Sequence, residues 1–213
     1  MRIVIVANAP VPADPALSRC IAAADAVIAA DGGGIVLAEQ GLTPDLLIGD
    51  LDSISSDALA FFAQQQTEIR RFPRAKDETD LELALIAAVE RGATHIDVFC
   101  VLGGRWDHTF ATIALLTLPL LAELTTIIYA DGQTLQVVRS SAVVHGHIGD
   151  VVSLLPLTPA VHGITTDGLA YPLADAPLYY EHSRGVSNEL VSPTAHVSIR
   201  EGLLLLIHDG RRA

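Results

Sequence analysis

The chain of 213 residues is poor in basic residues, poor in aromatics and nearly free of sulfur, with two cysteines and one methionine. Its formal charge is -12, and its densest basic stretch, Arg70, Arg71, Arg74 and Lys76, runs straight into the acidic Asp77, Glu78 and Asp80. Binding a phosphate backbone requires a clustered basic face, so nucleic acid is excluded as a partner. An anionic membrane surface is disfavoured for the same reason. Cys20 and Cys100 sit in apolar contexts with no CxxC and no His-rich neighbour, which argues for buried free thiols over a disulfide or zinc site. The apolar runs at 3–6 and 203–207 are too short for a secretion signal and a membrane span respectively. The cytoplasm is therefore the expected compartment. Several sequence motifs are also missing. There is no GxxxxGK[ST], no GxSxG and no HExxH, and the glycines after Asp31 do not have GxGxxG spacing. A P-loop enzyme, a nucleophile-elbow hydrolase and a dinucleotide-binding fold of the usual type are thereby set aside.

Half of the residues are hydrophobic, and their pattern changes along the chain. Up to about residue 131, short β-branched runs (3–6, 27–30, 46–48, 96–101, 125–129) alternate with Ala- and Leu-rich stretches (16–24, 35–40, 58–66, 80–91, 109–118). Continuous apolar strands separated by helices predict a parallel sheet covered on both faces. From Leu135 the helical period disappears. Short segments such as 151–155 and 196–200, punctuated by Gly, Pro, Asp and Asn, predict an antiparallel β-sandwich. The expected fold is thus α/β: a parallel-sheet α/β domain over 1–132, then an all-β sandwich over 133–213, divided near Asp131-Gly132.

In an open parallel sheet, ligands bind at the carboxyl ends of the strands. Those ends carry Asn8, then Asp31-Gly32-Gly33-Gly34, then Gly49-Asp50-Leu51-Asp52-Ser53, and later Gly103-Gly104-Arg105-Trp106-Asp107-His108. Any one of these strings could be a turn or a helix cap. Four together point to a ligand. Asp50 and Asp52 are two apart, so in an extended segment both carboxylates face the same way, with Gly49 permitting close backbone approach. In Lys76-Asp77-Glu78-Thr79-Asp80, Thr79 and Glu82 have capping-box spacing, which leaves Asp77 unexplained. Asp77 and Asp80, three apart, share one face of a helical turn. Such carboxylates suit magnesium, which takes a few of them together with waters and phosphate oxygens. A polyphosphate substrate would also need divalent cations between it and so acidic a protein. Lys76 is the only lysine in the chain, and beside the acidic cluster it reads either as a solvated side chain or as a point charge for phosphate. Arg105 is a candidate for a fixed polar contact. His108 is either catalytic or a helix-start histidine, and His145 and His147 are read as residues on one strand face.

In order and spacing, these strings resemble the thiamine pyrophosphokinase family, as do Gly168-Leu169-Ala170-Tyr171-Pro172-Leu173 and Gly185-Val186-Ser187-Asn188-Glu189 farther on. The resemblance implies transfer of the terminal diphosphate of ATP to the hydroxyl of thiamine, releasing AMP. It implies a catalytic α/β domain, a thiamine-binding β-sandwich and a homodimer with active sites between subunits. By the same resemblance, Asp31, Asp50, Asp52, Asp77 and Asp80 hold or orient Mg2+ on the triphosphate. Lys76 and Arg105 contact phosphate, while Gly32, Gly33, Asp107 and His108 belong to the nucleotide and substrate site. Ser187 and Asn188 contact thiamine, although a Ser-Asn pair is also ordinary turn chemistry. Ile35 stands where the family usually carries a polar residue, and Leu51 where it often has Phe. Three alternatives stay open: a hydroxymethylpterin diphosphokinase on a related scaffold, a non-catalytic nucleotide- or thiamine-binding protein, and a CheY-like receiver, against which the long β half and the Lys76 cluster count.

Overall fold

The structure is a computed structural model that describes residues 1–9 and 14–210. It divides into two compact units, Met1–Asp131 and Gly132–Ala213.

The first unit alternates strands and helices: β1 (Arg2–Val6), α1 (Ala16–Ala22), β2 (Ala26–Ala30), α2 (Gly33–Ala38), β3 (Leu46–Gly49), α3 (Ser56–Gln64), β4 (Glu68–Arg71), α4 (Asp80–Glu90), β5 (His95–Phe99), α5 (Trp106–Leu115) and β6 (Thr125–Ala130). The strand order is β6-β5-β1-β2-β3-β4, and every neighbouring pair is parallel. The chain steps outward from β1 to β4, then crosses back to place β5 on the other side of β1. That reversal opens a crevice between the ends of β1 and β5, the position at which doubly wound sheets bind ligands.

Strand alternation explains how both faces are filled. Val4, Val6, Val27, Ala29 and Leu47 join a buried cluster with Leu17 of α1, Leu37 of α2 and Phe62 of α3. Their neighbours Ile3, Ile5, Ile28 and Ile48 are equally buried and point the opposite way. On that side α4 lies against β1, β2 and β3. Two-sided burial is why these strands read as unbroken apolar runs.

Two elements differ from the sequence reading. β4 was not anticipated, because Glu-Ile-Arg-Arg is short, polar and mostly exposed. As an edge strand it is protected from pairing with other chains by charge, and Glu68 pairs with Arg70 and Arg91. Helix α5 begins at Trp106, three residues before the predicted start at 109, so Asp107 and His108 lie in its first turn.

The second unit contains β7 (Gln133–Val138), β8 (Ser141–His145), β9 (Val151–Pro156), β10 (Ala160–Asp167), β11 (Ala176–Tyr179), β12 (Asn188–Glu189), β13 (Thr194–Ser198) and β14 (Leu204–Asp209). The order β12-β9-β14-β7 forms one antiparallel array and β11-β10-β13-β8 another. Inward residues of both, among them Val138, Leu154, Leu206, Ile164, Ala195 and Val197, make one core. His145 ends β8, but His147 falls in the following turn, where its N–H donates to Asp150 Oδ2. The two histidines therefore do not share a strand face.

One charged group is buried in the middle of the parallel sheet. Asp97 of β5 is fully buried, accepts a hydrogen bond from Arg2 Nε at 2.6 Å, and meets His95 Nε2 at 3.0 Å. Burial alone would raise its pKa, but the contacts with His95 and Arg2 outweigh burial and hold it below the ordinary aspartate value. A depressed folded-state pKa gives stability that is complete above the unfolded-state value and lost as pH falls through the folded one. Asp97→Asn should lower urea stability by about 2 kcal/mol at neutral pH, since it weakens the charge-assisted hydrogen bonds of a buried carboxylate while Arg2, about a third exposed, keeps solvent around its charge. The gap from wild type should narrow below about pH 4. A gap that is constant across an acid series of urea melts would show that the carboxylate charge is not what stabilises this sheet.

Candidate active site

Backbone geometry at the strand ends decides where the aspartates point. Asp31, directly after β2, has φ +45°, and Cys100, directly after β5, has φ +57°. Leu51 after β3 has φ +61°, and its side chain is buried in the core beneath α3. Turning Leu51 inward throws Asp50 and Asp52 outward on either side of it. The Asp52 N–H then donates to Asp50 Oδ1 at 3.2 Å, which fixes the turn. One carboxylate oxygen each from Asp31, Asp50 and Asp52 lies within 4.8 Å of the others.

Asp80, the first residue of α4, lies outside this three-carboxylate group but close to Gly49, and the N-cap Thr79 before it accepts a hydrogen bond from the Glu82 N–H at 3.2 Å. The Lys76 ammonium stands 3.0 Å from Asp80 Oδ1 and 3.9 Å from Asp50 Oδ2. The contact with Asp80 is an ion pair without hydrogen-bond alignment, since Oδ1 is buried and accepts no hydrogen bond. Arg74 lies 3.6 Å from Asp52 Oδ2, but both side chains are largely exposed. Gly49 is essential here. A Cβ at that position would sit 2.9 Å from Asp80 Oδ1 and 3.3 Å from Asp31 Cβ.

The site fits a hard divalent cation. Asp31 Oδ1 is buried with no hydrogen-bond partner, which is costly unless a cation supplies one. The clustered donors are all oxygens, and their number is what magnesium takes alongside water and phosphate. Asp77 is exposed and lies outside the three-carboxylate group.

Beside the aspartates, a cleft of about 400 Å³ opens at the β1/β5 crevice. Its rim carries Asn8, Asp31, Thr79, Asp80, Arg105 and His108, and its inner wall is apolar, with Ala30, Leu81, Val101, Ala111 and Leu115. Gly103 and Gly104 also line it, and both have positive φ. Arg105 clasps Asp107 through both Nε and a terminal nitrogen, lowering the Asp107 pKa. Asp107 therefore stays anionic and orients the guanidinium at the mouth of the cleft. Gly32 and Gly33 start the turn into α2.

In the second unit, Ser187 has φ +60° and its N–H donates to Ser153 Oγ at 3.0 Å. The amide of Asn188 is committed to the loop before it. Its Oδ1 accepts from the Tyr171 N–H at 3.0 Å, and its Nδ2 donates to the Tyr171 carbonyl at 2.8 Å.

Residues 17–122 match the family described as thiamin pyrophosphokinase, catalytic domain, and residues 135–204 match thiamin pyrophosphokinase, vitamin B1 binding domain. A solved structure of thiamin pyrophosphokinase from Geobacillus thermodenitrificans is 30% identical, with TM-score 0.82, covering 98% of this chain and 97% of that one. The chain belongs to the thiamin pyrophosphokinase family. The thiamine pyrophosphokinase of Bacillus subtilis is 27% identical over 184 residues, 85% of this chain and 86% of that protein. A crystal structure from B. subtilis superposes with TM-score 0.87 at 26% identity, covering 99% of this chain and all of that one. Neither the pterin diphosphokinase reading nor the receiver reading gains support from these matches.

Motif reading missed the inner wall of the cleft and the Arg74–Asp52 pair. The wall had a readable signal, because His108, Ala111, Thr112 and Leu115 recur at helical spacing along α5. Gly49 generates a direct test. Gly49→Ala should cost more than about 1 kcal/mol, because φ +145° and the Asp80 contact both oppose a side chain. It should also weaken Mn2+ binding, measured by paramagnetic titration. Unchanged melting and unchanged Mn2+ affinity would refute this account of the close approach.

Proposed function

We propose that this chain transfers the terminal diphosphate of ATP to the primary hydroxyl of thiamine, with Mg2+ as the cation, giving thiamine diphosphate and AMP. The observation that carries this reading is the meeting of Asp31, Asp50 and Asp52, where a buried Asp31 oxygen has no hydrogen-bond partner and Asp31 itself lines the switch-point cleft. Family membership supplies the reaction. The chemistry of the residues supplies the assignment of parts.

The reaction forms a bond from the thiamine hydroxyl oxygen to the β-phosphorus of ATP and breaks the bond between that phosphorus and the oxygen leaving with AMP. Such a transfer depends mainly on in-line placement and on stabilising charge at the phosphoryl oxygens. Asp31, Asp50, Asp52 and Asp80 would hold the magnesium, which supplies much of that neutralisation. Asp77, which the family resemblance also assigns to holding or orienting the metal, is exposed and stands outside the three-carboxylate group. Lys76 and Arg105 contact phosphate, and Arg105 reaches it in the orientation that Asp107 fixes. His108, on the same rim, is placed against the nucleotide, as are Gly32 and Gly33. A loose transition state gains little from early removal of the hydroxyl proton, so the proton passes late to a crevice aspartate.

The first unit, 1–132, is assigned to ATP and metal, and the second, 133–213, to thiamine. Ser187 is placed against the vitamin, and Asn188 acts by holding the Tyr171 loop in position. A homodimer with shared active sites and a cytoplasmic location complete the reading. Among the described residues no helix is long and apolar enough to cross a membrane.

Incubation with ATP, MgCl2 and thiamine should yield AMP and thiamine diphosphate in equal amounts, identified by mass spectrometry. AMP produced without thiamine, or a product formed from a hydroxymethylpterin instead, would reject the assignment. Asp52→Asn should reduce turnover by about 100-fold or more, as expected for loss of a group serving transition-state charge. Its melting temperature should not fall, because the Asp52 side chain is about half exposed, its pair with Arg74 is a surface one, and its neutralisation relieves repulsion from Asp31 and Asp50. Full activity in this variant at saturating magnesium would remove Asp52 from the site.

A further inference from the structure

The carboxylate group already contains a cation of the chain's own. Lys76 is only 11% exposed, and its ammonium lies between Asp80 at 3.0 Å and Asp50 at 3.9 Å. Asp50 is also one of the three aspartates whose oxygens converge within 4.8 Å. The lysine therefore occupies part of the donor set that a divalent ion would use. Its hold on Asp80 is one of charge rather than alignment, because Asp80 Oδ1 accepts no hydrogen bond. Arg74, the other basic neighbour, differs in kind. It is 86% exposed, 3.6 Å from Asp52, and screened by solvent.

From this geometry we infer that Lys76 is an internal counter-ion that keeps the site's affinity for a bare divalent ion low and passes to phosphate oxygens when metal and nucleotide enter together. The inference rests on the nucleotide-and-metal reading above and adds an order of loading to it. A divalent ion arriving alone must draw Asp50 and Asp80 away from Lys76, leaving a mostly buried ammonium without an anion, which is unfavourable. A nucleotide arriving with the ion brings phosphates that take the ammonium over. Metal and nucleotide then bind cooperatively, and by linkage each tightens the other to the same extent. Lys76 is in this respect a positioning and coupling residue. It makes the site respond to the metal–nucleotide complex rather than to free metal.

The test is Mn2+ titration by electron paramagnetic resonance without nucleotide, on wild type, Lys76→Met, Lys76→Arg and Arg74→Met. Lys76→Met should bind Mn2+ about tenfold more tightly than wild type, a change within the usual range of site-to-site coupling. Lys76→Arg and Arg74→Met should stay near wild type. A non-hydrolysable ATP analogue should tighten Mn2+ binding in wild type but much less in Lys76→Met. Equal Mn2+ affinity in wild type and Lys76→Met would overturn the inference. So would an equal gain in Lys76→Met and Arg74→Met, because that pattern belongs to a general charge effect.

A second measurement needs no variant. Lys76 is the only lysine, so acetylation by an N-hydroxysuccinimide ester can be followed on its own peptide by mass. Mn2+ alone should speed the labelling of Lys76, and Mn2+ with the ATP analogue should suppress it. A rate unaffected by Mn2+ alone counts against the counter-ion role. A wild-type enzyme that makes AMP from ATP and thiamine but fails these tests loses only this inference. Passing them without ever making AMP would preserve the counter-ion and reject the diphosphate transfer.

Discussion

Mutual repulsion among carboxylates is the constraint around which the first unit is arranged. With oxygens within 4.8 Å of one another, each pair of charges opposes folding by about 3 kcal/mol before solvent screening, at an effective dielectric of about 20. No single element could hold them there. Asp31 comes from the end of β2 and Asp50 and Asp52 from the turn after β3, while Asp80, at the start of α4, stands beside them across Gly49. Each is anchored by apolar packing beneath it. The two-sided core of the sheet makes the close approach tolerable, and Lys76 partly offsets the charge.

The same arrangement explains why chemistry and stability are kept apart in this fold. The charged network at Arg2, Asp97 and His95 lies toward the amino ends of the strands, where the buried Asp97 carboxylate is held by the partly exposed Arg2 and His95 side chains. The network at the carboxyl ends is left short of positive charge and open to a cleft. One network is satisfied by the chain itself, whereas the other keeps a buried Asp31 oxygen that has no hydrogen-bond partner. A depressed pKa at Asp97 therefore marks structure and not function, a distinction that geometry draws and a titration alone would not.

Legibility in the sequence followed physical cause. Buried strands announced themselves because two-sided burial demands continuous apolar residues, and the glycine-aspartate strings stood out because no core requires them at strand ends. β4 was invisible, since an edge strand of Glu, Ile and Arg has neither the apolar run nor the alternation that marks a strand. His147 was misplaced because an i, i+2 spacing looks like one strand face even where a turn intervenes. Asp77 illustrates a different limit. Its spacing from Asp80 suggested a shared face, but helix α4 starts only at Asp80, so the helical rule does not reach back to it. The gathering of Asp31 with Asp50 and Asp52 depends on strand order. Local pattern carries no information about which strands become neighbours.

The left-handed residues that close β2, β3 and β5 have a wider consequence. Asp31, Leu51 and Cys100 hold a conformation that side chains other than glycine, asparagine and aspartate seldom adopt. Substitution at Leu51 or Cys100 disturbs the buried core as well as the bend, whereas at Asp31 it chiefly swings the loop. Divergence in this lineage should accordingly be conservative at the bends and permissive along the helices, so that the backbone's handedness, more than any one side chain, preserves the shape of the catalytic face.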